Sequence, residues 1–188
     1  MQLAVLLPIT AFIALALAIA IVVRRAGRLV ARTREVEGFR SGVRDLCARI
    51  ETSLDGAARR IDAVRRQTVG ADSIGPTLDA TRDAVGRYLE EARALNAPTA
   101  AQAIRDDLVE ELERAGRAID MVEHGATILV QVRRRGRELE AQTAIKRGYL
   151  NLLHAREAIA QQAQRAAELD LSDDVPPNQA ISVREPRP

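Results

Sequence analysis

The order of apolar and polar positions divides the chain into two unlike parts. From Leu3 to Val23 there are 21 consecutive residues without a charge, LAVLLPITAFIALALAIAIVV. At 1.5 Å per residue a helix of that length spans about 31 Å, close to the hydrocarbon thickness of a bilayer. Pro8 falls near its outer end, where backbone adjustment is tolerated. Beyond it, Val36, Phe39, Val43, Leu46, Ile50, Leu54, Ala57, Ile61 and Val64 recur at intervals of 3 and 4, one stripe of an amphipathic helix. That pattern predicts a helix to about Thr68. Val69 to Pro76 breaks it, with Pro76 suited to the first turn of the next helix.

A second helix is predicted through Leu78, Thr81, Val85, Leu89, Ala92 and Leu95, ending at Asn96-Ala97-Pro98. Thr99 with Gln102 has the form of a capping box for a third helix, which carries Ile104, Leu108, Leu112, Ala115, Ile119 and Val122. Helical spacing then continues through Leu129, Val132, Leu139, Ile145, Leu150, Leu153 and Ile159 to about Leu169. A single helix over 99–169 would be about 106 Å long, too long for the first two helices to cover. A reversal is expected at His124-Gly125 or at Arg133–Gly136. The expected fold is all-α: one N-terminal transmembrane helix followed by an antiparallel, coiled-coil-like bundle of three to four helices. The expected divisions are an anchor at 1–23, a basic collar at 24–34, a bundle at 35–171 and a disordered Pro-rich tail at 172–188.

Composition supports helices. Alanine supplies 33 residues, only 2% of the chain is aromatic, and tryptophan is absent. An aliphatic, closely packed core suits helix on helix better than sheet on sheet. The net charge of +2 conceals an asymmetry: residues 24–34 hold five arginines and no acid, whereas 35–188 carry 23 basic and 26 acidic residues. The bundle is thus evenly mixed, with neither the basic stripe nor the aromatic platform that nucleic-acid binding requires.

The collar, Arg24, Arg25, Arg28, Arg32 and Arg34, also sets direction. By the positive-inside rule it places the N-terminus outside and the C-terminal domain in the cytoplasm, held at the cell membrane. The arginines would lie against anionic headgroups, so the bilayer is an expected partner. Cleavage as a signal peptide is the competing reading. Ala18-Ile19-Ala20 fits a cleavage site, but Ile21-Val22-Val23 extends the apolar run beyond it and a basic n-region is missing. Ala14/Ala18 and Ala16/Ala20 offer small-xxx-small spacing at which two anchors can approach, though alanine-rich spans are common.

Candidate chemistry is sparse. Asp120 with His124, and His154 with Glu157, are the two possible metal-ligand pairs, but neither has the Glu-x-x-His form of bundle di-metal sites. With a reversal at Arg133–Gly136 the two histidines would be offset by about 12 Å along the axis. No metal and no cofactor is therefore expected. Cys47, the lone cysteine, borders the apolar stripe and reads as a buried, inert thiol. Phosphate-binding, nucleophile-elbow and dinucleotide motifs are absent from the sequence. Arg133-Arg134-Arg135-Gly136-Arg137 reads as a solvated turn before it reads as an anion site. Glycines at 38, 42, 56, 86, 116, 125, 136 and 148 fall inside helical pattern and are expected to mark close crossings or kinks. In the tail, Ile181-Ser182-Val183 has the form of a short docking motif, against the plainer reading of a solvated segment.

The segment 140–159 is apolar over more than one stripe. Tyr149, Leu150, Leu152 and Leu153 are therefore candidate interface residues facing another copy or a protein partner. An outward N-terminal anchor followed by cytoplasmic coiled helices resembles, in architecture alone, bacterial septation-ring anchors and small membrane-bound coiled-coil stress proteins. The resemblance carries no residue-level motif and so implies a plan and not a function. The sequence points to a non-enzymatic, membrane-anchored scaffold that self-associates or recruits a partner. The alternative is a membrane-tethered sensory bundle that binds a small ligand between helices; an enzyme would need clustered titratable residues in a cleft.

Overall fold

A computed structural model describes residues 3–132 and 136–169, with the side chains of 3–16, 18, 28, 29 and 132 outside the description. Among the described residues there are four long helices and no strand: α1, Leu3–Arg65; α2, Gly75–Ala94; α3, Gln102–Val132; and α4, Glu138–Glu168. Short 3-10 turns at Ala71–Ser73 and Thr99–Ala101 precede α2 and α3. The fold is an all-helical bundle.

The cross-helix contacts set the order. Arg156 on α4 pairs with Asp55 on α1 at 2.8 Å, while nearer the other end the Cys47 thiol lies 3.6 Å from the Ile159 carbonyl. Ser53 on α1 meets the Tyr88 hydroxyl on α2 at 2.9 Å, and Arg60 donates to Ser73 at 3.1 Å. Arg93 and Arg82 on α2 reach Glu113 and Asp120 on α3 at 3.0 and 3.1 Å. Arg165 on α4 reaches Asp107 on α3 at 2.9 Å, and toward the far end Gly125 of α3 lies against Ala141 of α4. In each pair the numbers rise on one helix as they fall on the other, so neighbours are antiparallel and the ring runs α1, α2, α3, α4. Exposed ion pairs of this kind contribute about 0–1 kcal/mol each, so they fix register more than they stabilise.

Stability comes from the stripe read in the sequence. Val43, Leu46, Ile50, Leu54 and Ile61 of α1 are buried with Leu108, Leu112, Ile119 and Val122 of α3 and with Ile145, Leu152 and Ile159 of α4. Fully burying each such side chain contributes about 1.5–3 kcal/mol. The first buried residue of α1 is Val36, whereas residues 30–35 are exposed. The helix thus continues about 50 Å beyond the bundle. Among the described residues, no helix is long and apolar enough to cross a membrane. Most of the side chains of the apolar run expected at 1–23 lie outside those described, as does the tail expected at 172–188.

Three boundaries differ from expectation or decide between alternatives. Of the two expected reversals the chain takes the second: α3 passes straight through His124-Gly125, and Gly136, at φ +68°, turns the chain into α4. Thr99 does not cap α3. It opens a 3-10 turn in which the Ala101 amide donates to the Pro98 carbonyl, so its side chain is past the position a cap must occupy. α1 ends at Arg65 with Gln67 at φ 60°, and the Thr68 and Gln67 amides donate back to the Ala63 and Val64 carbonyls. This is the Schellman termination, built here on glutamine in the left-handed region.

Candidate functional site

Of the collar, Arg24, Arg25, Arg32 and Arg34 are exposed on α1, and the Arg28 side chain lies outside the description. Preceding them on the same helix, Leu17, Ile19, Ile21, Val22 and Val23 stand 50–66% exposed. Among the described residues, this apolar surface on one helix, followed at once by arginines, stands out.

The four candidate interface residues separate. Leu152 is 1% exposed and packs wholly within the monomer, which removes it from any outward surface. Helical geometry explains this: Ile145, Leu152 and Ile159 repeat at seven residues and share the inward stripe. Tyr149 and Leu153 are half-buried against the core, and Tyr149 has the Arg65 guanidinium over its ring at 5.4 Å. Leu150 faces outward at 43% exposure.

His124 and His154 are both exposed on their helices, and Asp120 is engaged by Arg82. Among the described residues, no group of three or more His, Cys, Asp or Glu side chains is placed to hold a metal ion. Cys47 is buried, and burial together with Glu51 pushes its thiol up to about 11. Burial likewise raises the Glu111 carboxyl, whereas hydrogen bonds from Arg65 and Arg137 lower Asp62 and Glu140. These groups are scattered, and none adjoins another in a cleft. Of the Arg133–Arg137 cluster, Arg133 to Arg135 lie outside the described residues, and Arg137 pairs with Glu140 at 2.6 Å.

Among the described residues, two clefts open at the end of the bundle far from the collar. One, of about 300 Å³, lies between the start of α2 and the end of α3. Its floor is Ile74, Leu78 and Ala126; Asp72, Glu123 and Val130 form its rim. The other, of about 220 Å³, lies between the ends of α1 and α3 and the start of α4, and is lined by Val64, Leu129 and Ile145 with Arg65, Gln142 and Lys146. One rim is therefore acidic and the other basic. A third cleft, of about 290 Å³, joins Arg32 and Glu35 to the α2–α3 turn at Asn96–Thr99.

The chain matches no known family, no curated protein and no solved structure.

The sequence missed the two distal clefts. Asp72 and Glu123 lie 51 residues apart, and Arg65 and Lys146 lie 81 apart, so local spacing carried no sign of them.

Proposed function

We propose that this chain is a membrane-anchored, non-enzymatic interaction module. Residues 3–23 would cross the bilayer, the 24–34 collar would hold the cytoplasmic headgroups, and the bundle would self-associate or recruit a protein partner in the cytoplasm. The observation that carries this reading is the exposed apolar end of α1, running without a break into exposed arginines. In water such a stripe is unfavourable by about 25 cal/mol for each Å² left uncovered, and a bilayer removes that cost. The positive charge on one side alone supports the direction.

An enzyme is a poorer reading, because the perturbed groups do not converge on any cleft. Ligand binding inside the bundle is also less favoured, since Leu46, Leu108, Leu112 and Leu152 fill the interior with aliphatic side chains.

The test is cellular fractionation combined with a C-terminal reporter active only outside the cytoplasm. The full chain should remain in the membrane pellet after alkaline carbonate, and the reporter should stay silent. Release by carbonate would overturn the anchor, and an active reporter would overturn the orientation.

A further inference from the structure

Leu139 is the most conspicuous side chain at the far end of the bundle, 78% exposed in the first turn of α4. Leu139, Gln142 and Lys146 follow at spacings of three and four and so share one face of α4. Gln142, Tyr149 and Arg156 repeat at seven residues, and the last two meet Arg65 and Asp55 of α1, so this ridge lies on the α1 side of α4, away from the α2–α3 face.

On that opposite face lies the acidic cleft, with an apolar floor and Asp72 and Glu123 at its rim. Lys146 and Asp72 are both exposed, and among the described residues neither has an ionic partner within the chain. Glu123 already accepts from Arg82, yet its side chain remains 46% exposed.

The spacing of ridge and cleft agrees. Seven residues separate Leu139 from Lys146, and seven separate Glu123 from Val130. Within the chain a Cβ at Gly125 would touch Ala141 and Ile145, and one at Gly148 would touch Ala118 and Val122. That register sets Val130 level with Leu139 and Glu123 level with Lys146, to within about one residue rise of 1.5 Å. Two copies standing the same way up, as they would in one membrane, therefore present the ridge and the cleft at the same height.

We propose that copies of this chain associate side by side, with Leu139 of one seated against Val130 in the α2–α3 cleft of the next and Lys146 against Glu123, while Asp72 lies at the height of Val130. This rests on the reading of the chain as a self-associating membrane protein, and it names the surface. Because ridge and cleft lie on opposite faces, the contact is heterologous: it leaves one free ridge and one free cleft, and repeats into a row.

Lys146 is the sole lysine of the chain, which makes the contact directly readable. Full-length protein, an equal mixture of light and nitrogen-15-labelled chains, is reconstituted in phosphatidylcholine/phosphatidylglycerol vesicles and treated with a carbodiimide, which joins amines to carboxylates in contact. Peptide mapping should find Lys146 joined to Glu123 in light–heavy pairs. Leu139→Asp should lower the yield at least about tenfold, the effect of losing a central apolar anchor, with helicity unchanged because the residue is exposed. The exchange Lys146→Glu with Glu123→Lys moves the sole lysine to the other side and should restore the cross-link. Oligomers without these pairs, or pairs indifferent to Leu139→Asp, would overturn this contact while leaving self-association standing. Chains that insert in the vesicles yet stay monomeric would overturn both.

Discussion

Gly148 on α4 rests directly on the backbone of α3, where a methyl group would stand 2.8 Å from the Ala118 carbonyl oxygen and 3.1 Å from the Val122 amide nitrogen. Gly125 does the same in the other direction, against the carbonyl of Ala141 and the amide of Ile145. Each helix thus supplies one glycine to a close crossing, and α3 and α4 form the tightest pair of the bundle.

Gly148→Ala should therefore destabilise the bundle by about 1–3 kcal/mol, because the contact is with backbone and the helices must part. Gly116, on the same α3, has nothing within 4 Å of a would-be Cβ. Gly116→Ala should stabilise by about 0.5–1 kcal/mol through reduced freedom of the unfolded chain. Denaturant titration of both variants in the full chain checks the opposite signs. Equal effects would mean that the crossing is looser than described.

Gln67 holds the left-handed position that ends α1. For an L-residue with a side chain that conformation costs about 1–2 kcal/mol, and glycine escapes it. Gln67→Gly should accordingly raise stability by about 0.5–1 kcal/mol after the entropy loss of glycine is deducted. A lower denaturation midpoint in the variant would show that the glutamine side chain stabilises the turn by more than its backbone costs.

Cys47 should resist alkylation. Burial and Glu51 push its thiol from 9.0 to about 11, so at pH 8 the folded protein holds it protonated and enclosed. Labelling by iodoacetamide should follow global unfolding, accelerating with denaturant. A folded state that keeps the proton more tightly than the unfolded chain loses stability as pH rises. The contribution of this thiol is complete below about pH 9 and declines toward pH 11. Cys47→Ala should remove that part of the alkaline decline, as read from melts between pH 8 and 11. Rapid labelling at pH 8 without denaturant would contradict the burial.

The bundle was legible because its helices depend on spacing: every residue of the Val36–Val64 stripe is buried, none more than 8% exposed. The ends of helices were less legible. Thr99 and Gln102 have the residues of a capping box, but Pro98 starts a 3-10 turn that carries Thr99 beyond the cap. His124-Gly125 looked like a turn because glycine disfavours helix interiors, whereas the glycine is there for the approach of α4. Glycines 38, 56, 86 and 116 looked the same in sequence and meet nothing. The broad apolar segment 140–159 was real, but which of its leucines face inward depends on the two neighbouring helices, α1 and α3, and this separated Leu152 from Leu150. Leu139 appeared only as one more member of a stripe, since its exposure follows from the turn at Gly136.

α1 continues from Leu3 to Arg65 with no interruption between its outer length and the bundle. Its two ends are therefore locked in rotational phase as well as in distance. One residue added between 24 and 35 would lengthen the stem by about 1.5 Å and turn the whole bundle about 100° around its axis, pointing the Leu139 ridge in a new direction. Seven added residues make nearly two full turns and return the ridge to within about 20° of its first bearing. The stem works as an indexed shaft, on which the compass heading of every face is set by counting residues.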